Sequence, residues 1–174
     1  MILAIDVHYR EEFAKAVSIE FENWNDKSPT KINESFIRNV EEYISGEFYK
    51  RELPCIIKIL EKTNTKKLDI IIIDGFVVLD DTGKAGLGKY LYETLNREIP
   101  IIGVAKRGFV NNEKNVLKIK RGKSEKPLYI TSIGFDLNEA ATKIKNMTGE
   151  FRIPDLLRIL DRKTKEKKDI EHNK

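Results

Sequence analysis

The sequence predicts an α/β domain, a mixed sheet flanked by helices with its strands in the order 3-2-1-4-5. Three observations predict it. The run Leu68-Asp69-Ile70-Ile71-Ile72-Ile73-Asp74-Gly75 is β-branched, apolar and too short for a membrane span, so it reads as a strand buried on both faces. Ahead of it, apolar segments at residues 2–8, 14–21 and 30–40 read as three strands, the last two joined through the turn-forming Asn25-Asp26-Lys27-Ser28-Pro29. Behind it, leucines at helical spacing lead into another short apolar strand, the alternation that builds parallel pairs.

Length and composition set the outer bounds. With 174 residues, 40% hydrophobic and 34% charged, the chain is long enough for one domain with a full core. The net charge of +4 is compatible with a polyanionic partner, but so mild an excess selects none. Cys55 is the single cysteine, which excludes an intramolecular disulfide and a cysteine zinc cage. No signal-type or membrane-spanning segment is evident, so the expected setting is cytoplasmic, with no membrane partner. Nothing here fixes an oligomeric state.

The elements follow in order. Ile2-Leu3-Ala4-Ile5-Asp6-Val7-His8 is the first strand, and the next two form a hairpin with one another. The first helix begins near Arg51, with Leu53, Ile56, Ile57 and Leu60 at helical spacing and Pro54 tolerable in its first turn. After the isoleucine strand comes a polar loop from Asp80 to Gly88, then a helix with Leu87, Leu91 and Leu95 on one face, ending near Asn96. The glycines of that loop lack the Gly-Lys-Ser/Thr ending of a phosphate-binding P-loop. Pro100 to Lys106 is the next strand. Residues 115–121 and 127–133 pair as strands about Arg121-Gly122-Lys123-Ser124. Asp136 and Glu139 form a capping box for a helix closed by Thr148-Gly149, and a last helix starts near Pro154. The domain covers residues 1–162, and 163–174 form a charged tail.

Three antiparallel strands, a helix, then strand, helix, strand is the layout of the ribonuclease H-like fold, in which acids on the first and fourth strands meet. Asp6 and Asp74 hold those places, and Lys106 ends the neighbouring strand at the same sheet edge. With Glu52 at a helix start they form an oxygen-rich set suited to Mg²⁺ or Mn²⁺. Ions spaced about 3.5–4 Å apart in such a set can serve phosphodiester hydrolysis. Plainer accounts stand beside this one. Asp74 could simply end a strand, and Glu52 is also what a helix dipole favours in a first turn. Asp161 could pair with Arg158 or Lys165 across a helical turn. His8 and His172 make no pair at a metal-ligand spacing.

Five motifs in order resemble the endonuclease V family, which nicks nucleic acid near deaminated adenine (inosine). Ala4-Ile5-Asp6-Val7 is similar to its Gly-Val-Asp-Val strand, and Tyr43-Ile44-Ser45-Gly46 with Arg51-Glu52 to its Tyr-Ile-Pro-Gly and Arg-Glu. Asp74-Gly75 matches its Asp-Gly, and Ile102-Gly103-Val104-Ala105-Lys106 matches letter for letter. Arg152-Ile153-Pro154-Asp155 with Asp161 resembles Arg-Leu-Pro-Glu and a later Asp or His. The likeness runs from Ala4 to about Arg162. It implies that Asp6 and Asp74 bind metal and that Glu52 and Asp161 complete the acidic site. Lys106 would meet the scissile phosphate, and Tyr43, with Gly46 beside it on the nucleic acid, would wedge the strand open next to a flipped base.

The departures are specific too. Where the family has Asp-Gly-His-Gly and then His-Pro, this chain reads Phe76-Val77-Val78-Leu79-Asp80-Asp81 after Asp74-Gly75. Ser45 replaces the wedge proline, and Ile133-Gly134-Phe135 replaces a later Gly-His. The expected function is therefore metal-dependent cleavage of DNA or RNA, near inosine or another altered base, in repair. The alternatives are a structure-specific nuclease without inosine preference and a non-catalytic nucleic-acid-binding relative.

Overall fold

The structure, a computed structural model, describes residues 1–38 and 48–167. Its centre is a seven-stranded sheet in the order β3-β2-β1-β4-β5-β7-β6. The antiparallel strands β1 (Ile2–Tyr9), β2 (Phe13–Phe21) and β3 (Lys31–Arg38) lead into α1 (Phe48–Leu60) and then β4 (Ile70–Asp74). Next come α2 (Leu87–Thr94), β5 (Ile101–Ala105), β6 (Leu117–Ile119) and β7 (Leu128–Ile133), and finally α3 (Leu137–Asn146) and α4 (Asp155–Lys165).

The first five strands lie in the expected order, and the 115–133 hairpin extends the same sheet beyond β5. There β7 pairs antiparallel with β5, while Leu128 and Ile130, both fully buried, join the apolar layer that β5 already supplies. The order expected from the sequence lacks these two strands because hairpin periodicity shows which strands pair with each other, not which free edge they join.

Alternation along the strands divides the core into two layers. Ile2, Ala4, Ile70, Ile72, Ile102 and Val104 face α3 and α4, where Ala140, Ile144, Leu156 and Leu160 meet them. Leu3, Ile5, Ile71, Ile73 and Ile101 face α1 and α2 through Cys55, Ile56, Ile59 and Leu91. The four isoleucines of β4 are thus shared two to each layer. Parallel pairing sets Ile5 opposite Ile73 and Asp74 opposite Val104, so Asp6, Asp74 and Val104 lie at one level of the sheet, where β4 ends, β5 is one residue from its end and β1 runs on to Tyr9.

Two helix boundaries differ from expectation. Because α1 starts at Phe48, Pro54 sits inside the helix, which gives up a backbone hydrogen bond there. Its buried apolar face offsets that loss. The last helix runs on to Lys165, and its Thr164 is fully buried. No helix among the described residues is long and apolar enough to cross a membrane.

Gly103 shows how closely the strand ends are packed. A Cβ added to it would lie 2.5 Å from the Gly75 carbonyl oxygen and 2.6 Å from Thr131 Oγ1. Gly75 itself has φ +142°, which a side chain would strain. The backbone turning away from Asp74 therefore passes over β5 only because both positions lack side chains. Gly103→Ala is expected to destabilise the protein by about 1–3 kcal/mol through overpacking, read from the midpoint of urea unfolding; an unchanged midpoint would contradict this packing.

Candidate active site

Even-numbered residues of β1 and β4 point to the α4 side, so Asp6 and Asp74 continue the stripes begun by Ala4 and Ile72. Lys106 does the same one residue beyond β5. With Asp161 of α4 they line one cavity of about 30 Å³, whose apolar walls include Ile72, Val104, Leu157 and Leu160. Residues distant in sequence meet here because the register sets Asp6, Asp74 and Val104 side by side and Asp161 of α4 reaches the same cavity.

The polar contacts are specific. Lys106 Nζ lies 3.3 Å from Asp74 Oδ2 and 3.3 Å from Asp161 Oδ1. Lys165 Nζ donates to both oxygens of Asp161, at 2.9 and 2.8 Å, so the pairing across a helical turn and the approach to the strand-borne acids both occur. Arg158 pairs with Asp155 instead, at 3.4 Å. The Val7 amide donates to Asp6 Oδ1 at 2.9 Å, and the Thr164 hydroxyl lies 3.2 Å from Asp6 Oδ2. Arg152 donates to the Lys106 carbonyl and to that of Pro127, fixing the backbone that carries the lysine.

Glu52 comes from the other layer. It is only 3% exposed, beside Cys55 on α1, and its Oε2 has no hydrogen-bond partner among the described residues. Burial, then the negative charges of Asp6 and Asp74, raise its pKa well above the ordinary value, with Arg51 opposing. The same influences act on Asp6: burial first and Asp74 next push it from 3.8 to about 6, against the pull of Lys106, Thr164 and Val7. Burial of Lys106 works against its charge, but Asp74 and Asp161 together outweigh it and raise its pKa. For Asp161 the lysines prevail over burial, and its pKa falls.

This is a pocket with more negative charge than its one inserted ammonium neutralises. Among the described residues no three acidic, histidine or cysteine side chains converge closely enough to ligate one ion as they stand. The donor set nevertheless suits a hard divalent cation: carboxylate oxygens, an unpartnered buried Glu52 oxygen, and two acids whose charged forms are disfavoured without a counter-ion.

Tyr43 and Gly46 lie outside the described residues, as does His172. His8, two positions beyond Asp6 on the same face, has its pKa lowered by burial, Arg10 and Lys165. Two participants escape a reading of the sequence. Thr164 follows Asp161 at three positions, the helical spacing that would reveal it if the helix were carried past Arg162. The grip of Arg152 on the Lys106 backbone leaves no such trace.

The family model described as Endonuclease V matches residues 1–129. The endonuclease V of Trichormus variabilis is 30% identical over 139 residues, which are 69% of this chain and 61% of that protein, less than two thirds of its length. Among solved structures, Ciona intestinalis endonuclease V in complex with a 24mer DNA containing an inosine followed by a ribo-adenosine superposes with a TM-score of 0.74. It is 19% identical, over 94% of this chain and 83% of that one. The Bacillus subtilis endonuclease V gives 0.70 at 19% identity, over 94% and 77%. The fold is ribonuclease H-like.

The raised acids give a pH dependence. Asp6 binds its proton more tightly folded than unfolded, so its cost to stability is absent below about pH 4, grows from there to about pH 6 and is complete above it. The displacement from 3.8 to about 6 amounts to roughly 3 kcal/mol at most. In EDTA, Asp6→Asn should raise the melting temperature by several degrees at pH 8 and by much less at pH 4. Equal shifts at the two pH values would show that the charge on Asp6 is not strained.

Proposed function

The chain belongs to the endonuclease V family, and from that membership we propose that it is a metal-dependent endonuclease hydrolysing phosphodiester bonds in DNA or RNA. The observation that carries this reading is the meeting of Asp6, Asp74, Lys106 and Asp161 in one cavity, on adjoining strands in register and the helix beside them. The excess negative charge there, extended by buried Glu52, matches what a divalent ion and a phosphate would bring together.

Asp6, Asp74 and Glu52 would hold Mg²⁺, with Mn²⁺ as substitute. Bound there, the ion supplies Lewis-acid charge and lets water act as a nucleophile near neutral pH. The remaining work falls to the chain's own groups. Lys106, protonated between Asp74 and Asp161, offers its ammonium to an unesterified oxygen of the scissile phosphate and offsets charge developing there. Asp161 aims that lysine and is itself steadied by Lys165. Thr164 and the Val7 amide each engage one Asp6 oxygen, which restricts rotation of the carboxylate.

Preference for inosine and a part in repair extend the reading, with Tyr43 and Gly46 as the wedge segment. The Ciona relative was solved on inosine-containing DNA. A second reading, cleavage directed by branched or single-stranded structure without inosine preference, is favoured by Phe76. It directly follows Asp74-Gly75, where the family has histidine, and meets Phe109 edge-to-face at 6.0 Å between centroids. A non-catalytic binding relative is disfavoured, since a buried and unpaired Glu52 oxygen costs stability with no return unless a cation is bound.

Asp74→Ala and Lys106→Ala, checked for folding by circular dichroism, should each reduce Mg²⁺-dependent nicking by about 10²-fold or more. Inosine-containing and plain substrates run in one assay decide between the two nuclease readings. A wild-type protein that cuts neither with Mg²⁺ or Mn²⁺ overturns the enzymatic one.

A further inference from the structure

A groove of about 970 Å³ runs along the solvent side of α4 and touches the acidic cavity, Ile153 and Asp161 lining both. Its cations come from separate parts of the chain: Lys27 from the loop between β2 and β3, Lys123 from the turn between β6 and β7, and Arg158 and Arg162 from α4. Arg158 is engaged by Asp155 at 3.4 Å. Lys27, Lys123 and Arg162 form no ion pair among the described residues. The groove also contains Glu150, so its cations are a track within a mixed surface rather than a uniform basic patch.

In the same groove stands Phe151, which is 57% exposed. Exposure of so large a ring contributes nothing to the core, yet the loop that bears it is firmly held. Arg121, only 6% exposed, donates to the Phe151 carbonyl at 2.7 Å, to that of Lys145 at 3.0 Å and to that of Gly149 at 3.2 Å. From the groove side, the Arg158 guanidinium lies over the ring at 4.2 Å from its centroid. An exposed aromatic fixed in place among unpaired cations is the arrangement that binds unpaired bases, because stacking needs a free base face and the cations follow the phosphates.

We propose that this groove holds an unpaired nucleic-acid strand on one side of the scissile phosphate, with a base stacked on Phe151 and the backbone against Lys27, Lys123 and Arg162. The inference deepens the nuclease reading and rests on it for what lies at the Asp161 end. A duplex fits the ring poorly, since its bases are already stacked on each other.

The test is binding of a fluorescent oligothymidylate of about 15 nucleotides to the full chain in EDTA, where it stays intact, against a blunt duplex of equal length. Phe151→Ala is expected to weaken the single strand about ten-fold and Phe151→Tyr to retain it. The Lys123→Glu, Arg162→Glu double variant should also weaken it, and lower the slope of log affinity against log salt by about 0.7 for each phosphate no longer neutralised. Lys58→Glu, on α1 at the opposite face, serves as the charge control and should leave binding unchanged. Binding by Phe151→Ala equal to wild type, or an equal loss on the duplex, overturns the groove assignment. Cleavage by the wild type in Mg²⁺ is scored separately. Phe151-dependent binding without cleavage sinks the nuclease reading alone, and cleavage with binding indifferent to Phe151 sinks the groove alone.

Discussion

The structure depends on the parallel register of β1, β4 and β5. Ile5 opposite Ile73 and Asp74 opposite Val104 bring Asp6 and Asp74 side by side, with Lys106 just beyond on the next strand. A shift of one residue in β4 would carry Asp74 to the other face of the sheet, exchange the isoleucines between the two layers and leave Lys106 with Asp161 as its remaining partner. Apolar burial on both sides of β4 fixes that register, so the same four isoleucines that stabilise the core also set the position of the acid. Gly75 and Gly103 then let the backbone leave β4 without pushing β5 aside.

Electrostatic strain is what this arrangement costs. Burial and mutual repulsion oppose the charged forms of Asp6 and Glu52, while Lys106 compensates Asp74 and Asp161 only in part. A folded protein tolerates so unfavourable a cluster because the surrounding layers over-determine it. The divalent cation proposed above would relieve that strain by giving the buried Glu52 oxygen a partner and the neighbouring carboxylates a counter-charge.

Much of this is legible in the chain. The isoleucine run, the turn before Thr30 and the capping box at Asp136 identify strands and a helix, because each depends on local periodicity or on a cap made within a few residues. Asp136 indeed accepts from the Glu139 amide at 2.8 Å. Asp6, Asp74 and Lys106 can be placed together because strand ends in such a sheet converge by topology. What cannot be read depends on tertiary packing. The sheet edge taken by β7 follows from burial of Leu128 and Ile130, and α4 continues past Arg162 because Thr164 is buried beneath it. A charged stretch such as Lys163 to Lys165 looks like a tail until its neighbours are known.

Arg152 joins the groove and the acidic cavity a second time, through the backbone. Its side chain holds the carbonyl of Lys106, and its own backbone follows Phe151 directly. One peptide link therefore separates a ring at the surface from the tether of the half-buried Lys106. A substitution that loosens this loop would therefore also loosen the backbone that aims the ammonium, so the two can be altered only in step.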